Sequence, residues 1–262
     1  MAANPTLLEA AKPASPSVTI PQLTRARILT TWAAAAAPMA VLAWIVAPWL
    51  ASSLDGPAPL FASLVIVLTA GLLWQFVMVV ALVAHEQRSL RWSVVRDALW
   101  LRAPRSPRTG RVGGRVWLVV IPLIVGLAAE ELIPTLAHPG GRDFGVFFGS
   151  DAGQQFISGA WGWFALLLVM MILNTVMGEE LLFRGYLLPR MHGAFGNGDW
   201  VANGILFAAY HVHVWWVIPS SLVDMFLLAY PTKRYRSAWI GIVVHSAQTV
   251  VLALVLLGLV LR

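Results

Sequence analysis

Residues 178–185 place two adjacent carboxylates and an arginine in an otherwise apolar part of the chain, and they read Gly-Glu-Glu-Leu-Leu-Phe-Arg-Gly. The preceding run, 157–177, contains no charged residue. A charged side chain at membrane depth costs about 2.5–3.5 kcal/mol on insertion scales, so such groups are seldom kept without a function. In a continuous helix, Glu180 and Arg184 lie at i and i+4 on one face and can neutralise each other. Glu179 is rotated by about 100° from Glu180, which leaves it free for chemistry.

Two histidines further along the chain also stand in apolar segments. His211 follows Phe207 by four residues and His245 precedes Thr249 by four, so the members of each pair share a helix face. Ionisable groups within membrane helices face the interior of the bundle and pair there. A glutamate and two histidines on successive helices therefore predict one polar site.

The composition excludes an ordinary soluble domain. Of the 262 residues, 59% are hydrophobic and 11% are charged, and the mean hydropathy is +0.75. Long apolar runs predict an all-α polytopic transmembrane bundle, because a transmembrane β-barrel shows alternating segments of about ten residues instead. The absence of cysteine excludes disulfides, thiol nucleophiles and cysteine-bound metals. The net charge of +6 lies mainly in arginine-containing loops, which indicates membrane topology and not nucleic-acid binding.

We predict about seven membrane spans, within a range of six to eight. A proline-rich cytoplasmic tail, 1–24, is expected to be disordered, and 25–262 is expected to form a single transmembrane domain. The segment 86–115 carries eight arginines and is predicted to be a cytoplasmic loop, which places the N-terminus on the same side. The chain is thus expected to be a multi-pass protein of the plasma or inner membrane. The predicted spans are 28–54, 59–84, 116–136, 156–177, 200–218, a short one ending near 230, and 238–261.

The order of the polar motifs resembles that of the CPBP family of intramembrane glutamic endopeptidases, which holds the CAAX prenyl endopeptidases and the Abi bacteriocin-processing proteins. The family pattern is Glu-Glu-x-x-x-Arg, then Phe-x-x-x-His, then His-x-x-x-Asn/Asp. Residues 179–184 match the first part and 207–211 match the second. The third part begins at His245 but ends at Thr249 in place of Asn or Asp. The resemblance covers 157–255, which is therefore expected to be the catalytic core.

The resemblance implies a role for each matched residue. Glu179 would be the general base, and His211 would position and polarise the attacking water. His245 and Thr249 would face the oxyanion, with Gln248 as another possible donor because Thr249 is short. The pair that orients Glu179 would be Glu180 and Arg184, and the residues expected around the site are Asn174, Phe207, His213 and Gln248.

The function implied is an intramembrane endopeptidase that cleaves a peptide bond of a membrane-associated or lipidated protein. It would need neither metal nor cofactor, and its partners would be that substrate and the lipid bilayer, with no nucleic acid. Because the Glu-Glu-Arg motif lies at the inner end of its span, we expect the site to open towards the cytoplasmic side. His213, about 200° around the helix from His211, is expected on another face.

Two other functions stay open. A membrane zinc metalloprotease could bind metal through Glu179 and the three nearby histidines, although the chain lacks His-Glu-x-x-His. Thr249 also allows a catalytically weak or inactive member that acts as a membrane immunity or scaffold protein. The pair at 130–131 has Thr135 where an arginine would complete the motif, which favours a helix end near the outer interface. Asp224 belongs either to the site or to a turn between broken helices.

Overall fold

The computed structural model describes residues 18–262, and within them the chain is helical, with no strand beyond one isolated bridge between Arg105 and Val112. The predicted tail comprises 1–24, of which 1–17 lie outside the described residues. Its end, 18–24, contacts the bundle: the Leu23 amide donates to Arg190 O at 2.9 Å, and the Gln22 side chain donates to Pro189 O at 3.0 Å. The fold class predicted from the sequence, an all-α polytopic bundle, is confirmed.

Ten helices make up the described chain, of which five are long. Short 3₁₀ or π segments join or interrupt several of them. The helices are α1 Arg25–Ala51, α2 Pro59–Gln87, α3 Trp92–Ala98, α4 Val120–Glu130, α5 Phe144–Gly149, α6 Asp151–Ile157, α7 Trp161–Arg190, α8 His192–Ser221, α9 Tyr230–Tyr235 and α10 Ala238–Val260.

Five helices, α1, α2, α7, α8 and α10, are long and apolar enough to cross a membrane by length and composition. Two further predicted spans correspond to shorter helices. The span predicted at 116–136 contains α4, whose 11 residues measure only about 16 Å at 1.5 Å per residue. A 3₁₀ segment, Gly114–Val119, precedes α4. The short span predicted to end near 230 contains a π segment, Met225–Ala229, and α9.

Helix α7 departs from regular α-helical geometry where it carries the polar motif. A π segment, Leu173–Gly178, ends immediately before Glu179, and a second, Leu181–Leu187, begins immediately after Glu180. Single π turns inside helices occur frequently at functional sites, because they displace side chains from the regular 3.6-residue pattern. The two glutamates therefore occupy the break between two widened turns of one long helix.

Glycines allow two neighbouring helices to approach the motif closely. At Gly178, an added Cβ would lie 3.3 Å from a methyl carbon of Leu72 and 3.6 Å from the side-chain oxygen of Gln75, both on α2. On α10, an added Cβ at Gly241 would collide with the Glu180 carboxylate and approach Cγ of Arg184 to 3.3 Å. Helices α2 and α10 thus pack directly against the motif, where any larger side chain would separate them from it.

The chain reverses direction after α8 and returns along it. Lys233 on α9 pairs with Asp199 near the beginning of α8 and donates to Asn197 O at 3.0 Å. This return brings the end of α8 and the turn at Asp224 to the interior of the bundle, where Asp224 is only 6% exposed. The segment after α4 is tied to the same region, because the Leu136 amide donates to Trp216 O at 3.0 Å.

Candidate active site

The two glutamates of the motif are buried in the bundle and have different neighbours. Glu179 is 2% exposed and Glu180 is fully buried. Oε1 of Glu180 lies 3.3 Å from Nη1 of Arg184, which is also fully buried, and 3.1 Å from Nδ1 of His245. The Arg184 guanidinium in turn lies over the ring of Phe207, 3.9 Å from the ring centroid. Two basic side chains therefore flank Glu180, and an aromatic ring packs against one of them.

Glu179 faces a different histidine. Its Oε1 lies 3.9 Å from Nε2 of His211, which is longer than a hydrogen bond. Nδ1 of His211 lies 2.9 Å from Phe207 O. A carbonyl oxygen only accepts, so Nδ1 carries the proton in this contact and Nε2 of the neutral ring presents its lone pair to Glu179. The arrangement leaves two acceptors facing each other across a gap that one water molecule can bridge.

A cavity of about 260 Å³ adjoins Glu179 and both histidines. Its wall includes three further acids. For Asp224 the sequence allowed either a place in the site or a turn between broken helices, and Asp224 is part of this wall. Glu130 and Glu131 were expected at a helix end near the outer interface. The helix end expected at Glu130 and Glu131 is where α4 ends, and both residues also belong to the wall of this cavity. The residues of the wall are Leu127, Glu130, Glu131, Ile133, Thr135, Asn174, Glu179, Phe207, His211, Val217, Ser220, Ser221, Asp224, His245 and Gln248.

Part of the cavity wall lies beyond the C-terminal end of α4. Ile133 and Thr135 in its wall follow the C-terminal end of α4, and the basic loop 86–115 precedes its N-terminal end. These residues place one end of the cavity wall on the side of α4 that is remote from the basic loop, and the opening towards the cytoplasmic side stays a prediction. The shortness of α4 leaves room for the cavity beyond its end.

Of the two candidates for the third motif, only Gln248 lines the polar cavity. The Gln248 amide donates to Oε1 of Glu131 at 2.6 Å and lines the polar cavity. The Thr249 hydroxyl lies 3.2 Å from the hydroxyl of Thr175 and lines a neighbouring, mainly apolar cavity of about 430 Å³. Thr249 was predicted to face the oxyanion, but the structure keeps it out of the wall that contains Glu179. His245, Asn174, Glu131 and Gln248 belong to the walls of both cavities.

His213 lies closer to His211 than regular helical geometry predicts. The α-helical part of α8 ends at Tyr210, and the following segment, His211–Val217, is a 3₁₀ stretch with a kink at Val214. The two imidazoles are stacked, with ring centroids 5.8 Å apart and an angle of 18° between their planes. The expectation of a separate helix face is wrong because the helix is not regular there. His213 lies outside the wall of the polar cavity, and its Nδ1 is 3.3 Å from Tyr210 O.

Metal ligation was an alternative for these histidines and acids. Among residues 18–262, no three His, Asp or Glu side chains are grouped in an arrangement that could hold a metal ion. Within the site, the contacts of Glu179 with His211 and of Glu180 with His245 each join one acid and one histidine.

Taken together, the fold and the site define a polytopic helical membrane protein with a buried glutamate–histidine pair beside a polar cavity. Residues 161–251 match the model of the family described as type II CAAX prenyl endopeptidase Rce1-like. This segment, which spans α7, α8, α9 and the first half of α10, is similar to the CAAX-type membrane endopeptidases, and the recognition made from the motifs is confirmed. Comparison with curated proteins and with solved structures gave no match.

Proposed function

We propose that the chain is an intramembrane endopeptidase of the glutamic type, in which Glu179 is the general base. The observation that carries the proposal is the 3.9 Å gap between Oε1 of Glu179 and Nε2 of His211, at the wall of the polar cavity. Two hydrogen bonds of ordinary length, about 2.8 Å each, fit a bridging water between these acceptors. The water would donate one hydrogen to each of them and present its own lone pair to the cavity.

Hydrolysis would then proceed through a tetrahedral intermediate. The water oxygen bonds to the carbonyl carbon of the substrate while one proton moves to the Glu179 carboxylate. The carbonyl oxygen takes up the negative charge, and the C–N bond breaks as Glu179 returns the proton to the leaving nitrogen. A positioned general base of this kind contributes about 10²–10⁴-fold to the rate.

His245 and Gln248 are the groups we assign to the oxyanion. As an imidazolium, His245 donates from both ring nitrogens, so that Nδ1–H is held by Glu180 and Nε2–H is available to the cavity. The Gln248 amide has two N–H donors and uses one of them on Glu131. In this proposal Glu180 and Arg184 touch no reacting atom, and they position His245 and the turn that carries Glu179.

The substrate class we propose is a membrane-associated or lipidated peptide or protein. The apolar cavity shares part of its wall with the polar one, so an acyl or prenyl chain could lie beside the peptide bond that is cut. We further propose a multi-pass orientation in the plasma or inner membrane with a cytoplasmic N-terminus. The arginine-rich segment 86–115 supports this orientation, because short basic loops are retained on the cytoplasmic side.

A second candidate, a catalytically inactive immunity or scaffold protein, is favoured by one observation. Thr249 stands where the family pattern has Asn or Asp, and its hydroxyl is engaged with Thr175. If Gln248 does not replace the missing donor, the site would bind a membrane partner without cutting it.

The experiment that tests the proposal compares purified full-length wild type, Glu179→Gln and Asp151→Asn on quenched lipidated peptides in detergent, with and without a chelator. Asp151 is an exposed acid of α6 and serves as the matched control. We expect cleavage by wild type and Asp151→Asn that survives the chelator, and a loss of about 10²–10⁴-fold in Glu179→Gln with an unchanged melting temperature.

Each other outcome selects an alternative. Activity that is lost on chelation would support a zinc metalloprotease. A folded wild type that cuts nothing, but gains activity with Thr249→Asn, would support the inactive immunity or scaffold protein.

A further inference from the structure

The polar cavity is lined by more acids than hydrolysis uses. Four carboxylates contribute to its wall, namely those of Glu130, Glu131, Glu179 and Asp224, whereas no lysine or arginine is among its lining residues in the described chain. The proposed mechanism assigns only Glu179 to the reaction. The other three acids need a separate explanation, because carboxylates close together in an apolar bundle repel one another and lose hydration.

Asp224 has one buried carboxylate oxygen without a partner in the described part of the chain. Its side chain is buried, with 6% exposure, and its Oδ1 has no hydrogen-bond partner among residues 18–262. Buried polar atoms are nearly always paired in folded proteins, and an unpaired one points to a ligand or a functional role. Because Asp224 is part of the cavity wall, a group that enters the cavity can reach it.

The two acids at the end of α4 extend the same wall. Glu130 neighbours both Asp224 and Ser220, and Glu131 accepts a hydrogen bond from Gln248 at 2.6 Å. Neither glutamate has an ion-pair partner among the described residues. The nearby Arg184 is directed to Glu180 and Phe207.

The cavity has room for a long side chain next to the site. Its volume is about 260 Å³, and one water takes about 30 Å³ in the liquid. The attacking water therefore occupies only a small part of it. A lysine or arginine side chain that entered from the peptide would place its cationic end among the three acids while its backbone stayed near Glu179.

We propose that Glu130, Glu131 and Asp224 form a subsite that binds a lysine or arginine side chain of the substrate close to the scissile bond. This inference rests on the proposed protease function, since it names the substrate that the same cavity selects. Glu130 and Glu131 lie outside the segment 161–251 that matches the family. Two of the three acids of the subsite therefore lie outside the matched segment, and Asp224 lies inside it.

The test uses lipidated quenched peptides that carry arginine or citrulline at one position, with that position moved stepwise across the residues flanking the cut. Citrulline keeps the shape of arginine but has no charge. At one of these positions we expect the wild type to cleave the arginine peptide with a kcat/KM about tenfold or more above that of the citrulline peptide. The reason is that hydrogen bonds to charged groups contribute more free energy than hydrogen bonds between neutral groups. Binding of the same two peptides to Glu179→Gln, measured by fluorescence anisotropy, should show the same preference.

Two variants probe the subsite. Asp224→Asn and Glu131→Gln should each bring the arginine-to-citrulline ratio closer to one, whereas Asp151→Asn should keep the ratio of the wild type. Glu131 is exposed at the cavity edge, so Glu131→Gln still tests the proposal if Asp224→Asn does not fold.

The two levels of the proposal fail in different ways. Cleavage of arginine and citrulline peptides at equal rates at every position would overturn the subsite and leave the protease standing. Selective binding of the arginine peptide without any cleavage would overturn the protease and keep the cation-binding site. A ratio that Asp224→Asn and Glu131→Gln both leave unaltered would also overturn the subsite.

Discussion

The two adjacent glutamates have different neighbours, which suit the two residues to different tasks. Glu180 lies between Arg184 and His245, with its Oε1 at 3.3 Å and 3.1 Å from their nitrogens, and it does not line the polar cavity. Glu179 has only the looser approach to His211 and borders the cavity. The neutralised carboxylate is suited to positioning, and the less constrained one is suited to taking up a proton.

Loss of the arginine should therefore destabilise the bundle. Arg184→Ala leaves Glu180 buried with His245 as its one basic neighbour, and breaking a buried ion pair costs about 3–5 kcal/mol. We expect a lower free energy of unfolding and a lower melting temperature for the purified protein in detergent. The matched control is Arg102→Ala, whose side chain is 49% exposed and pairs with Asp97 at 3.5 Å. Such surface pairs contribute at most about 1 kcal/mol, and equal losses in the two variants would contradict the assignment.

The oxyanion donors can be separated by comparing neighbouring residues of α10. Gln248→Ala removes an amide from the wall of the polar cavity, and removal of one oxyanion donor lowers kcat by about 10²–10³-fold in enzymes of known mechanism. Thr249→Val removes a hydroxyl that is directed to Thr175. We expect kcat of Thr249→Val to fall by less than about tenfold.

Steady-state kinetics on one lipidated peptide checks this comparison. The reverse order, with Thr249→Val the more damaged variant, would assign the donor to Thr249 despite its position. Melting temperatures recorded on the same samples separate a loss of donor from a loss of fold.

For the helices, the sequence predicted what depends on local pattern and missed what depends on the packing of distant segments. The apolar runs and the four-residue spacings located α7, α8 and α10 and the groups on them, because burial and helical periodicity are properties of short windows. The predicted span 116–136 continues beyond Glu130, where α4 ends, although the helix end itself was expected at 130–131. Glu130 and Glu131 were not assigned to the site because Thr135 stands where an arginine would complete the motif, and their adjacent carboxylates were the available signal.

The π segments and the kink in α8 were also beyond sequence patterns. Both were treated as regular helix, with 100° per residue, and the prediction for His213 failed for this reason. The predicted contact between Glu180 and Arg184 forms despite the irregular helix, because both residues lie on the same side of α7 and the arginine side chain is long. Predictions from helical spacing are thus safest for long side chains and weakest for rings whose direction is fixed by the backbone.

The packing of α10 against α7 gives a prediction with a control on the same helix. In Gly241→Ala, the added methyl group would collide with the Glu180 carboxylate, and overpacking of this kind costs about 1–3 kcal/mol. Because Glu180 holds His245, activity should fall together with stability. Gly258→Ala adds the same methyl group to α10 where nothing lies within 4 Å.

Unfolding and peptide cleavage would be measured on both glycine variants in parallel. We expect Gly258→Ala to match the wild type in both. If Gly241→Ala also matched the wild type, the close approach of α10 to the motif would be disproved.

In the bundle as a whole, the polar cavity and the apolar cavity share part of their walls. The polar cavity extends beyond the end of α4, and the apolar cavity lies beside it between α4, α7 and α10. A peptide in the first and a lipid chain or membrane segment in the second would meet near His245 and Asn174, which border both. A substrate that is anchored in the bilayer and also carries a basic residue would use both cavities at once.

The orientation of the protein decides from which side such a peptide enters, and it can be measured directly because the chain contains no cysteine. Arg108→Cys places one thiol in the basic loop, and Gly140→Cys places one in the segment after α4; both positions are exposed. If the basic loop is cytoplasmic, a membrane-impermeant maleimide should label Gly140→Cys in intact bacterial cells and Arg108→Cys only after permeabilisation. The cysteine-free wild type gives the background. The reverse pattern would invert the topology and would place the end of the polar cavity towards the cytoplasm. With the expected pattern, the cavity beyond α4 extends towards the outer side, so that a peptide anchored in the bilayer would reach Glu179 from outside the cell membrane.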